Sequence, residues 1–246
     1  MALATDAAQA APAISIDPLR PERAARGSAV ASLCNATRTW CVNRREGADR
    51  LEVIRGGLTA VIVAMLPLET DENVASAPWP FVATARLADG REVALAGVER
   101  TERQMYSGGS AAVTRLELYE LSDGAAPLLV LDAPLSSSIQ VRACFSRADE
   151  KRRLGACKDE YSYRATLTPD ASAAVPRLIY RSVAETYPGR RSRERDALQE
   201  PPLRKADLRT VADPKCSVTR TLTRDPASGA FEWNAPLPAC DDFLNP

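Results

Sequence analysis

The stretch YSYRATL, Tyr161 to Leu167, decides the fold. Tyr161, Tyr163, Ala165 and Leu167 share one side of an extended chain, with Ser162, Arg164 and Thr166 on the other. Successive side chains of a strand point to opposite faces, so a period of two predicts a strand with one buried face. Upstream, IQVRACF repeats the pattern with Ile139, Val141, Ala143 and Phe145. Downstream, SVTRTLTRD sets Val218, Arg220 and Leu222 against Thr219, Thr221 and Thr223, and FEW places Phe231 and Trp233 together.

Turn residues separate these runs. Asp89-Gly90 and Asp123-Gly124 each lie between strand-like segments, the strongest short-range signal for a hairpin. Gly108-Gly109 precedes another strand, and Pro226 to Gly229 forms a further turn. The longest apolar run, LTAVIVAML (Leu58 to Leu66), is rich in β-branched residues and reads as a buried strand. It is far shorter than the roughly 20 residues of a membrane-spanning helix. No long amphipathic helix is evident; the best short candidate is ERDALQE, Glu194 to Glu200. The expected fold is therefore mainly β, an antiparallel sandwich or barrel-like single domain with disulfide-stapled loops. A small β-propeller is the alternative, although no blade-length repeat recurs. Residues 1–27, rich in Ala and Pro and without period, read as a flexible tail. Residues 28–246 form the domain, interrupted at about 187–215 by a charged, proline-broken surface loop.

The six cysteines fall into three couples: Cys34 with Cys41, Cys144 with Cys157, and Cys216 with Cys240. Pairing within couples gives three short covalent loops, each worth roughly 2.5 to 3.5 kcal/mol in the loop-entropy account. Zinc sites favour ligands two to four residues apart, often with histidine; no couple has that spacing and the chain has no histidine. Disulfides persist in oxidising compartments, so the chain is expected in a periplasm or outside the cell. No signal peptide is visible at its start, which reads as the remainder after one is removed. Arginine greatly outnumbers lysine and alanine is abundant, a usage associated with GC-rich bacterial genomes.

The absence of histidine excludes the usual Ser-His-Asp and Cys-His catalytic arrangements. A formal net charge of zero gives no electrostatic case for nucleic acid. LETDEN (Leu68 to Asn73) lacks the glycine and distal glutamate of an EF-hand loop and reads as a solvated turn. YSGGSA (Tyr106 to Ala111) reads as a hairpin loop rather than an anion nest, GRRSRER (Gly189 to Arg195) as a solvated loop, and NAT (Asn35 to Thr37) as an ordinary loop. No cofactor and no metal is expected.

The favoured function is a disulfide-stapled binding or interaction module for an unknown protein, envelope or glycan ligand. The Cys144–Cys157 loop is the candidate recognition element, since a stapled loop loses less entropy on binding. Arg147, Arg152 and Arg153 on it offer bidentate donors to a carboxylate or phosphate. One alternative is a glycan-type hydrolase using two of Asp159, Glu160, Asp241 and Asp242. Another is a structural component of a cell-envelope assembly, exposing an apolar patch that involves Trp79.

Overall fold

The computed structural model describes residues 13–22, 30–45, 47–56, 61–69, 71–122 and 124–246. The strands are β1 (Ile14–Pro18), β2 (Arg20–Pro21), β3 (Val30–Cys34), β4 (Trp40–Arg45), β5 (Arg50–Arg55), β6 (Val61–Pro67), β7 (Val74–Arg86), β8 (Glu92–Tyr106), β9 (Gly109–Leu121) and β10 (Leu128–Arg142). After a short helix α1 (Arg147–Arg152) come β11 (Lys158–Pro169), β12 (Arg177–Tyr187), a 3-10 turn (Lys205–Asp207), β13 (Val211–Ala212), β14 (Thr219–Arg224), β15 (Phe231–Trp233) and α2 (Asp241–Leu244).

Two antiparallel sheets result. The larger runs β1-β7-β8-β9-β10-β11-β12-β14-β15, with β13 on β12; the smaller is the meander β2-β3-β4-β5-β6. Two sheets sharing one core are a sandwich-like arrangement, and a propeller's separate blades are not what the chain builds. Leu51, Val53 and Leu66 of the small sheet pack against Val82, Ala96 and Tyr119 of the large one. The other face of the large sheet carries a second core, including Leu95, Leu118, Ile139, Tyr163, Tyr180 and Leu222. Strand β8 explains how one sheet serves both cores. Its buried run VALAGV sends Val93 and Leu95 to one side and Ala94, Ala96 and Val98 to the other.

The large sheet curls around its core without closing. β1 comes into contact with β11 although four strands lie between them in the sheet order. Helix α2 packs on β10 and β11, and Phe243 meets Tyr161 edge-on at 6.0 Å. Tyr163 and Tyr180 join hydroxyls inside the curl, and Tyr180 donates to the Pro134 carbonyl at 2.8 Å.

Four sequence expectations change. Ile14–Pro18, assigned above to a tail, pairs with β7 from Ile14↔Ala85 to Pro18↔Phe81, and Ile14 is fully buried. Arg20–Pro21 of the same tail pairs with β3, and Leu19 is buried. Residues 1–12 and 23–27 lie outside the described residues, as do Asp123 and residues 58–60. β6 is an edge strand: Val63, Ala64 and Leu66 face the core, while Val61 and Ile62 are exposed. Glu194 to Glu200 forms turns, not a helix, because Asp196 caps its own chain by accepting from Leu198 N at 2.9 Å. Trp79 is buried beside Phe81 at 5.1 Å between ring centroids, so it presents no exposed patch.

Candidate functional site

Three disulfides join Cys34 to Cys41, Cys144 to Cys157 and Cys216 to Cys240. The middle one sits where β10 and β11 part, just beyond the cross-strand pair Arg142↔Lys158. Beyond it, Ser146 caps α1 by accepting from Asp149 N at 3.2 Å. Asp149 returns the contact, accepting from Phe145 N at 3.1 Å and from the Ser146 hydroxyl at 2.8 Å. The Ser146 hydroxyl and then the Phe145 N–H hold the Asp149 carboxyl below the usual carboxylate range. Leu154 and Gly155 turn the chain back in left-handed conformations (φ 51° and 83°).

Two of the three candidate arginines on this loop face inward. Arg153 and Asp159 form a buried ion pair, and Arg153 Nε donates to the Ala156 carbonyl at 2.8 Å. Arg191 lies 4.0 Å from Asp159 and pairs with Glu200. Arg152 donates to the Leu198 and Glu200 carbonyls at 3.0 and 2.7 Å. Burial, outweighing the pull of Arg153, raises the Asp159 carboxyl above its ordinary range. These side chains fasten the stapled loop to the segment 187–215, which is thereby anchored rather than solvated throughout. Arg147 alone of the three is exposed, and its side chain makes no hydrogen bond or ion pair among the described residues.

Arg147 borders a cleft of about 750 Å³. One wall is the β8–β9 hairpin tip and the other is the stapled loop. Met105 (89% exposed) and Phe145 (59%) are its apolar surfaces. Arg142, Arg147 and Lys158 bring three positive charges against the single acid Glu150. The Arg142 guanidinium stands over the Phe145 ring at 5.0 Å, while its Nε donates to the Cys144 carbonyl at 2.8 Å. Lys158 Nζ donates to Gln140 Oε1 at 3.0 Å. Like charges directly opposite on neighbouring strands destabilise a sheet, so the Arg142↔Lys158 pair is held against its own repulsion.

The four carboxylates proposed for hydrolysis do not come together in this cleft. Asp159 is locked to Arg153, and Glu160 is exposed on the opposite face of β11. Asp241 is exposed at the start of α2, and Asp242 accepts from Arg193 N at 2.9 Å. Among the described residues no cluster of His, Cys, Asp or Glu could hold a metal ion.

Sequence reasoning missed Phe145, Arg142 and Lys158. Alternation placed Phe145 on the buried side of a strand, but the strand ends at Arg142 and the bridge turns Phe145 outward. A signal for the two cations was present: Arg142 precedes Cys144 by two residues and Lys158 follows Cys157, so closing the bridge brings them together. No family, no curated protein and no solved structure matches the chain.

Proposed function

We propose that this protein is an exported binding module, working in a periplasm or outside the cell, that takes an anionic ligand with an apolar portion into the cleft beside the Cys144–Cys157 loop. Three intramolecular disulfides suit an oxidising environment. No helix among the described residues is long and apolar enough to cross a membrane. The observation that carries the reading is a cleft of binding-site size that sets two exposed apolar side chains beside three cations and one acid. An anionic group would relieve the repulsion between Arg142 and Lys158. A ring or alkyl group would cover Met105 and Phe145. The stapled wall limits the ordering cost of binding.

The test uses anilinonaphthalene sulfonate, which joins aromatic rings to one sulfonate. Saturable fluorescence enhancement with one-to-one stoichiometry is expected from the native protein. F145A and R147E should each weaken it about tenfold, or about 1.4 kcal/mol, with an unchanged thermal midpoint. Enhancement that both variants retain in full would place the probe elsewhere and remove the reading.

A further inference from the structure

A second concavity, of about 660 Å³, opens in the segment after β12. Five arginines line it, Arg190, Arg191, Arg195, Arg204 and Arg209, against two acids, Glu200 and Asp207. Three positive charges thus remain uncompensated, in a chain whose formal net charge is zero. Arg191 is committed to Glu200 and to the Pro188 carbonyl, to which its Nε donates at 2.7 Å. Arg204 approaches Asp207 at 3.5 Å while its side chain stays 83% exposed. Arg190, Arg195 and Arg209 are exposed, and their side chains make no hydrogen bond or ion pair among the described residues.

The backbone under these arginines is tied from several sides. Gly189 N donates to the Arg209 carbonyl at 2.8 Å, bolting one wall to the other. The Thr186 hydroxyl donates to the Gly189 carbonyl at 2.6 Å. Gly189 is left-handed (φ 63°), and a Cβ there would sit 3.3 Å from the Asp207 carbonyl oxygen. Leu203 N donates to the Arg152 carbonyl at 2.8 Å, which secures the far wall to the stapled loop. The guanidinium groups therefore rise from a fixed frame, and their mutual repulsion persists when the groove is empty.

We infer that this groove is a second binding site, independent of the cleft above, for a ligand bearing two or more clustered phosphate or sulfate groups. One carboxylate occupies one guanidinium fork. A tetrahedral oxyanion offers three acceptor oxygens and close to two charges in a phosphate monoester, so it bridges several forks at once. No aromatic residue lines the groove, so no stacking surface for nucleobases is present. Recognition is of the anionic groups themselves.

The experiment titrates the full-length, disulfide-intact protein with inorganic tripolyphosphate by calorimetry at low and high salt. In parallel it is mixed with phosphatidylcholine vesicles with and without phosphatidic acid. Saturable tripolyphosphate binding that weakens as salt rises is expected, since exposed charges are screened. The variant R190A/R195A/R209A should lose about tenfold or more in affinity, whereas R20A/R103A/R181A, which removes three exposed arginines elsewhere, should change it little. R195A alone gives a smaller loss in the same direction and covers the case of a triple variant that folds poorly. Tripolyphosphate binding without vesicle binding identifies a soluble ligand. Binding only to vesicles that carry phosphatidic acid identifies a surface-borne one. Binding of neither, or equal losses in the two triple variants, overturns the inference.

Discussion

Arg153 and Asp159 meet beneath the stapled loop with side chains only 6% and 8% exposed. Removing one partner of such a pair leaves the other charge desolvated, at a cost of about 3–5 kcal/mol. Arg191, 4.0 Å from Asp159, is not removed in R153A, so the lower end of that range is expected by urea unfolding. The pH dependence has a definite sign. Burial raises the Asp159 carboxyl, so the folded state takes up this proton at higher pH than the unfolded chain does. Its contribution favours the fold under acid and is lost as pH rises through the raised value. Deleting Arg153 removes a charge that holds the carboxyl down, so R153A should be most damaging near neutrality and recover in mild acid. A deficit that stays constant with pH would show that Asp159 is not the group left exposed to burial. Sequence alone could not assign these roles, because arginines on and just after a short polar helix look solvated. Arg153 turns inward to Asp159 only because the left-handed turn at Leu154 and Gly155 reverses the chain. The carbonyl partners of Arg152, Leu198 and Glu200, lie 46 and 48 residues away.

At the scale of elements, β9 begins at the described glycine that least tolerates a side chain. A Cβ on Gly109 would lie 1.9 Å from the Gln140 carbonyl oxygen and 3.0 Å from the Tyr106 ring. G109A therefore forces β9 and β10 apart at Val141↔Gly109, beside the cleft. A loss of about 1–3 kcal/mol is expected from overpacking, together with weakened anilinonaphthalene sulfonate binding. Full affinity in G109A would show that the hairpin tip is not a wall of the site. The hairpin itself was legible, because paired glycines between alternating runs are turn chemistry. So was β11, whose tyrosines at 161 and 163 are buried as the alternation demands. β1 was not legible. Its apolar pair, Ile14 and Ile16, is short and flanked by prolines, and only pairing with a strand about 70 residues away makes it structural.

At the scale of the molecule, the two cores meet in β7, β8 and β9, which contribute residues to both. The three bridges together are worth up to about 9 kcal/mol in the loop-entropy account, comparable with the whole net stability of about 5–15 kcal/mol of a typical domain. Full reduction should therefore lower the thermal midpoint steeply and abolish near-ultraviolet circular dichroism at body temperature. Retention of both would show that the sheets carry the fold unaided. The bridges span 7, 13 and 24 residues, and from β7 to β12 each strand's neighbour is the next along the chain. Of all the pairings six thiols admit, the native one joins the first, third and fifth cysteines along the chain each to the next to appear. A chain emerging N-terminus first, met by an oxidant that seals sulfurs in order of arrival, reaches its correct connectivity with nothing to reshuffle.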